Sequence, residues 1–195
     1  MEALTWNIRK KHGFKPIEIE KDELLALVPG LSEEYTFAIK IDNQGYISNS
    51  KKYLSDLIEG FKKLGGKIIE DEVVDILPDQ KVIIVKGKKD EIFSDGVVIA
   101  AGIFSDKLSK KFGANVPLQS ERGYHLELSE TNIKLNYPLM NSSLKLAITP
   151  RPNGIRFAGL VEFGSLNSEP NNNAFNLLMR NAKSMFPGII YQEKK

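Results

Sequence analysis

Hydrophobic residues recur at helical spacing in two long segments of the chain. In SNSKKYLSDLIEGFKKLGG the apolar positions are Tyr53, Leu54, Leu57, Ile58, Phe61 and Leu64. This spacing predicts a helix with Ser50 as its N-cap and Gly65 at its end. In NNNAFNLLMRNAKSMFPG the apolar positions 174, 175, 178, 182 and 185 predict a helix that ends before Pro187. Shorter helices are predicted in LTWNIRKKHG, KDELLALVPG and SDKLSKKFG, the last capped by Ser105 and closed by Gly113.

Other segments have the composition and alternation of β-strands. YTFAIKI alternates apolar and polar residues, and KIIEDEVVDIL, KVIIV and EIFSDGVVIAAG are separated by turns at Pro78–Asp79 and Gly87. The uninterrupted apolar run 97–101 predicts a strand covered on both faces, as in a parallel sheet. RGYHLELSE, LKLAITP and GIRFAGLVEF predict an antiparallel sheet with one face in water.

Composition narrows the class of protein. With 195 residues, 42% of them hydrophobic, the chain can bury a core in one large domain or two small ones. The 27 basic and 25 acidic residues are mixed along the chain, which argues against a nucleic-acid partner. Because there is no cysteine, disulfides, Cys-ligated zinc and Cys nucleophiles are excluded, and a cytoplasmic location is the default expectation. No apolar run approaches the ~20 residues of a transmembrane helix.

Most short catalytic and nucleotide-binding motifs are missing from the sequence. It contains no G-x-G-x-x-G, G-x-x-x-x-G-K-[ST], H-E-x-x-H or G-x-S-x-G. The only histidines are His12 and His125, so a His-rich metal site is excluded and no metal is expected.

The segment VVIAAGIFSDKL is the strongest candidate for a nucleotide-binding element. Its small residues Ala100, Ala101 and Gly102 would let a ligand approach the backbone, and the helix that follows would offer free N–H groups. The alternative is that these small residues serve only close packing between the strand and the helix.

The segment SERGYHLEL supplies a candidate carboxylate site. In a strand, Tyr124 and His125 point to opposite faces, and Arg122 shares its face with Tyr124. A guanidinium beside a phenol suits a carboxylate, because the guanidinium binds two oxygens and the phenol adds a donor. The alternative is a surface arginine beside a packed tyrosine. Arg151 and Arg156 are further cationic candidates with less context.

Four segments together resemble a known family. GYISNSKKYLSDLIEGFKKLGGKIIEDEVVDI, DGVVIAAGIFSDKL, VPLQSERGYHLEL and ITPRPNGIRFAGLVEFGSLNSEPNNNAFNLLMRNAKSMFPGI resemble, in order and spacing, the FAD-dependent D-amino-acid oxidase/dehydrogenase family, above all bacterial D-amino-acid dehydrogenases. The resemblance implies an α+β fold, with a substrate domain of antiparallel or mixed sheet and helices, and the central part of a glutathione-reductase-type FAD domain. It assigns residues 1–44 and 116–195 to the substrate domain and 45–115 to the FAD domain.

The resemblance also implies an activity and a set of site residues. Members oxidise the amine of a D-amino acid or similar small amine by transferring a hydride from the substrate α-carbon to flavin N5. The positions matching the cofactor site are Val74, Ala100, Ala101, Gly102 and Ser105. The candidate substrate residues are Arg122, from the strand pattern above, and Tyr124, His125 and Met140, which match positions facing the flavin. No catalytic residue is assigned.

The chain also departs from the family pattern. Members begin with a strand, a G-x-G-x-x-G loop and a helix, and end with a second flavin segment, and neither is present in this sequence. We therefore expect a fragment that is inactive alone, FAD bound by the full-length enzyme rather than by this chain, and the missing flavin segments as a partner. The location implied is cytoplasmic or peripheral at the inner face of the membrane. The alternative is a non-catalytic binding or assembly module of a split flavoprotein, and glycine, sarcosine or 2-hydroxy-acid oxidation stays open.

Overall fold

The computed structural model describes residues 2–79, 81–164 and 167–192. It divides into two compact units. The first comprises Met1–Tyr53, Gly123–Glu162 and Glu169–Lys195, and the second comprises Leu54–Arg122 and Phe163–Ser168. None of the helices within the described residues has the length and apolar character needed to cross a membrane.

Helices and antiparallel strands alternate along the chain. The helices are α1 (Glu2–Lys11), α2 (Lys21–Leu27), α3 (Ser50–Lys63), α4 (Ser105–Ser109) and α5 (Asn173–Met185). The strands are β1 (Pro16–Glu20), β2 (Phe37–Ile41), β3 (Val73–Asp79), β4 (Val82–Gly87), β5 (Glu91–Ser94), β6 (Glu121–Ser129), β7 (Leu139–Asn141), β8 (Leu146–Arg151) and β9 (Gly154–Phe163). Their sheet orders are β1-β2, β3-β4-β5 and β6-β9-β8-β7.

The hydrophobic core of the first unit lies between one face of the four-stranded sheet and α5. Ile148 and Phe157 of the sheet are fully buried, as is Leu178 of α5. The rings of Phe157 and Phe186 meet edge to face with centroids 6.1 Å apart. Alternation along β8 and β9 puts every second side chain into this core, and the intervening ones lie on the opposite face.

The two-stranded sheet and α2 complete the same core. Ile19 of β1 and Leu24 of α2 are buried in the cluster that includes α5. The Ser32 N–H donates to the carbonyl of Met185, 2.8 Å away, which closes the C-terminal end of α5. The amide of the buried Asn141 donates to the Tyr35 hydroxyl at 2.8 Å.

The second unit buries far less apolar surface. Ile76 in β3, which is 3% exposed, is the one buried hydrophobic side chain among the described residues of this unit. The helix α3 has no buried residue, and its apolar positions Leu54, Leu57 and Phe61 are about half exposed. The helix predicted from the amphipathic pattern is therefore present as α3, but its apolar face is not covered among the described residues.

A carboxylate holds the turn between β4 and β5. Asp71 accepts hydrogen bonds from the N–H groups of Lys88, Lys89 and Asp90 at 3.2, 3.1 and 3.3 Å, and from that of Glu72 at 2.8 Å. Desolvation raises the pKa of the Asp71 carboxyl, but these four backbone donors outweigh it and hold the pKa below its ordinary value. A Cβ at position 87 would overlap the Asp71 carboxylate, so a larger residue there would displace this side chain from the turn.

The α+β fold class predicted from the sequence is confirmed, with helices and antiparallel sheets throughout the described residues. The helices predicted around 50–64 and 173–185 and the antiparallel sheet after Pro117 are present. The strands β1 and β7 were not predicted. For β7, three residues are too few to show an alternating pattern.

Four predicted details are wrong, the last of which concerns α4. The run 97–101 forms no strand and is not covered on two faces, since Val98 is 87% exposed. The helix α3 is capped by Asn49, whose side-chain oxygen accepts from the Lys52 N–H at 3.0 Å, and not by Ser50. The predicted turn at 78 and 79 belongs to β3, which continues to Asp79.

The cap predicted for α4 is also wrong. Ser105 is the first residue of α4, and its hydroxyl accepts from the Ala101 N–H at 3.0 Å, four residues back along the chain. The helix continues as a 3₁₀ turn over Lys110–Phe112 and ends at Gly113 with φ 75°, as predicted for a glycine stop.

Candidate functional site

The face of the four-stranded sheet opposite the core is the candidate site in the first unit. Met140 of β7 pairs with Ala147 of β8, which pairs with Ala158 of β9. Directly opposed residues in antiparallel strands share a face, so these three side chains form one row. We call this side of the sheet the open face, and we call its row of two alanines and a methionine the apolar floor.

Two arginines and one glutamate lie beside this floor. Arg156 of β9 pairs with Thr149 of β8, and both lie two residues from the alanine pair, so they share its face. Arg151 follows Thr149 by two residues and therefore shares its face. The Glu127 Oε1 atom lies 3.8 Å from Nη2 of Arg151 and 4.0 Å from Nε of Arg156. Glu127 of β6 thus also belongs to the open face.

The Arg156 guanidinium is poorly satisfied by its neighbours. Its Nε is shielded from solvent and has no hydrogen-bond partner within the described residues. The Glu127 contacts of both arginines are longer than a hydrogen bond, so they are Coulombic attractions only. A carboxylate placed on this face could give the Arg156 guanidinium the hydrogen bonds that Glu127 does not.

The structure separates Tyr124 from His125, as strand alternation predicts. Tyr124 is 7% exposed and belongs to the core, where its ring meets Phe175 edge to face with centroids 5.9 Å apart. Its hydroxyl donates to the Glu162 carboxylate and accepts from the Asn171 N–H at 2.7 Å. His125 is exposed and precedes Glu127 by two residues, which places it on the open face. Met140, which is 70% exposed, shares that face.

The residues matching a cofactor site lie in the second unit. Ala100, Ala101 and Gly102 form an exposed turn, and Gly102 has φ 56°, a left-handed conformation that favours glycine. The space around its missing Cβ is open. The Ala101 N–H donates to Ser105, so this donor is used inside the turn and is not offered to a ligand.

Val74 is exposed at the start of β3, next to an ion pair. The Asp75 carboxylate accepts from the Lys111 ammonium and, at 2.7 Å, from the Ile76 N–H. The Lys111 hydrogen bond, helped by the Ile76 N–H, holds the pKa of the Asp75 carboxyl below its ordinary range. This pair joins β3 to the 3₁₀ turn that follows α4, so both cofactor-matching segments belong to one connected part of the second unit.

Arg122 also lies in the second unit, where its Nη2 donates to the carbonyl of Ser168. The structure therefore gives this guanidinium a partner in the chain's own backbone. Nowhere among the described residues do three or more His, Asp or Glu side chains converge as a metal site would require.

Sequence reasoning missed Glu127 and gave little weight to Arg151 and Arg156. The sequence did contain a signal, because residues two positions apart in a strand share a face. Glu127 follows His125 by two positions, and Arg156 precedes Ala158 by two. Strand pairing, which brings β6 beside β9 and β9 beside β8, was needed to put the three charges together.

Comparison with known proteins agrees with this fold. A D-amino-acid oxidase of Bradyrhizobium diazoefficiens is 30% identical over 95% of this chain and 44% of that protein. A D-amino acid dehydrogenase 2 of Mesorhizobium japonicum is 28% identical over 95% of the chain and 46% of that protein. The chain thus spans about half the length of the curated relatives that it matches.

Solved structures share the fold at low sequence identity. Glycine oxidase from Bacillus cereus superposes with a TM-score of 0.84 and 19% identity, over 98% of this chain and 53% of that one. L-proline dehydrogenase from P. horikoshii gives a TM-score of 0.79 at 17% identity, over 96% of this chain and 53% of that one. The family model described as DAO, FAD dependent oxidoreductase, matches residues 1–194. The chain belongs to this family of FAD-dependent oxidoreductases.

Proposed function

We propose that this chain is part of an FAD-dependent oxidoreductase that oxidises the amine of a D-amino acid or a similar small amino acid. The observation that supports this most is the open face of the four-stranded sheet, with the Arg156 guanidinium beside an apolar floor. An amino acid has one carboxylate and one side chain. The arginine would bind the carboxylate, and Ala147, Ala158 and Met140 would lie against the side chain.

The protein's part in this reaction is positioning. Two guanidinium nitrogens in one plane match the two oxygens of a carboxylate, so Arg156 would set the orientation of the substrate as well as its affinity. A fixed orientation is what a reaction at the neighbouring α-carbon needs, because it removes the entropic cost of aligning the reactants. Of the residues proposed from the family pattern, His125 and Met140 lie on the open face. Arg122 and Tyr124 also remain proposed substrate residues, but they share the other face of β6, where the hydroxyl of Tyr124 is bonded within the protein.

The residues that match a flavin site leave the backbone open to approach by a ligand. Ala100, Ala101 and Gly102 are exposed and carry no side chain beyond Cβ, and the space at Gly102 is open. These residues, with Val74 and Ser105, would hold the cofactor on the second unit. Bound FAD would supply the oxidising chemistry by accepting a hydride from the substrate carbon. The pyrophosphate would need further donors, since the sequence has no G-x-G-x-x-G.

The test uses the complete gene product, purified with FAD added. The protein is mixed anaerobically with glycine and with the D- and L-forms of alanine and proline, and the flavin absorbance is followed. Bleaching by one or more of these amino acids, at a rate that saturates with concentration, supports the proposal. Retained flavin that none of them reduces, while a 2-hydroxy acid does, would refute the assignment to amine oxidation.

A further inference from the structure

We propose that Glu127 determines the charge class of the substrate, so that the open face takes amino acids with one carboxylate and disfavours those with two. The inference rests on the proposed function, because it concerns the same face of the sheet. It assigns to Glu127 a role in specificity rather than in the oxidation itself.

The geometry that carries this inference is one carboxylate oxygen shared by two arginines. Oε1 of Glu127 lies 3.8 Å from the Arg151 guanidinium and 4.0 Å from that of Arg156. Neither distance is a hydrogen bond, so the glutamate neutralises charge without occupying the donors of either arginine. The Arg156 side chain is 33% exposed, so part of its guanidinium can be reached from the open face even though its Nε is shielded from solvent.

Charge counting then gives the preference. Two guanidinium groups and one carboxylate leave a net charge of about one positive unit on this part of the face. The α-carboxylate of a substrate cancels that charge. A second substrate carboxylate would find no remaining positive charge and would meet the half-exposed Glu127, and like charges within several ångströms repel.

Replacing Glu127 with glutamine should reverse this preference. The substitution keeps the size of the side chain and leaves two positive charges in place of one, so a dianion gains more than a monoanion. With surface-like dielectric screening, we expect the affinity ratio of dianion to monoanion to rise about fivefold. If Glu127 only supported the sheet, its substitution would lower the affinity for both anions by the same factor.

The experiment measures anion binding on the chain itself, without flavin. Sodium acetate and sodium malonate are titrated separately, at constant ionic strength and at neutral pH, into ¹⁵N-labelled protein. The Nε–H signals of Arg151 and Arg156 report where each anion binds, and the two dissociation constants give the ratio. Glu33→Gln is the matched control, since it removes the same charge from an exposed pair with Lys21 in the same unit.

Each result decides a separate point. A ratio that rises in Glu127→Gln and stays constant in Glu33→Gln, with both anions perturbing the Arg156 signal, supports the inference. Saturable binding at Arg156 with the same ratio in all three proteins overturns it and leaves the proposed function standing. Absence of any arginine perturbation overturns the inference together with the Arg156 carboxylate anchor. Failure of amino acids to reduce the flavin, by contrast, refutes the proposed function without changing the measured anion preference.

Discussion

The hydroxyl of Tyr124 donates a hydrogen bond to the carboxylate of Glu162. The same hydroxyl accepts from the N–H of Asn171, just before α5, at 2.7 Å. One buried phenol therefore connects β6, β9 and the segment that leads into α5. The aromatic ring packs against Phe175 of that helix. Both the ring and the hydroxyl of Tyr124 therefore contact residues of the first unit.

Tyr124→Phe should destabilise the protein by about 1–3 kcal/mol, because the ring stays and the partners of the hydroxyl lose their hydrogen bonds. Urea unfolding followed by circular dichroism measures the free energy. Tyr137→Phe removes a hydroxyl from an exposed tyrosine and should change stability by less than about 0.5 kcal/mol. Equal losses in the two variants would contradict the role given to the Tyr124 hydroxyl.

Under the proposed function, Arg156→Met should raise the KM for the oxidised amino acid about tenfold or more in the flavin-loaded protein, since a charge-assisted pair is lost. Steady-state oxidation with an artificial electron acceptor gives KM and kcat separately. Arg122→Met is the parallel variant. A similar rise in KM keeps Arg122 as a carboxylate ligand, and an unchanged KM excludes it. An unchanged KM in Arg156→Met would remove the open face from substrate binding.

Asp71→Asn should loosen the turn between β4 and β5, since an amide accepts the four backbone hydrogen bonds less strongly than a carboxylate. Amide hydrogen exchange at Lys88, Lys89 and Asp90 measures the effect. Because the pKa of the folded state lies below the ordinary value of 3.8, the carboxylate stabilises the native protein fully above that value. This stabilisation is lost as the pH falls through the folded-state pKa.

Exchange at the three amides should therefore accelerate relative to the rest of the second unit when wild-type protein is acidified below pH 3.8, and Asp71→Asn should lack this acid-dependent part. Asp95→Asn, at an exposed carboxyl group in the same unit, is the control and should leave the turn unchanged. Identical acid behaviour of wild type and Asp71→Asn would show that Asp71 does not hold the turn.

Leu178→Ala and Leu57→Ala should differ strongly although both leucines occupy the apolar stripe of an amphipathic helix. Leu178 is fully buried in α5, so its truncation should cost about 2–5 kcal/mol. Leu57 is 53% exposed in α3, and its truncation should change stability by less than about 1 kcal/mol. Chemical denaturation of the two variants makes the comparison, and a larger loss for Leu57→Ala would mean that α3 packs more closely than the structure has it.

The sequence was sufficient to predict the local structure of the two long helices, α3 and α5, and of most strands. Helical periodicity predicted α3 and α5, and alternation predicted β6 and β9, because these patterns act through neighbours along the chain. The same alternation correctly placed Tyr124 and His125 on opposite faces of their strand. The run 97–101 was predicted as a covered strand, and it is exposed without strand pairing, because a run of apolar residues does not specify what pairs with it.

By itself the sequence therefore determined where helices and strands form and which side chains alternate along each of them. The tertiary structure alone decided that α5 buries its apolar stripe while α3 leaves its own exposed. It also decided that Glu127 of one strand meets Arg151 and Arg156 of two others. The physical reason is the distance along the chain between the interacting residues. Periodicity is a property of residues a few positions apart, whereas burial and charge pairing depend on strands that the fold brings together.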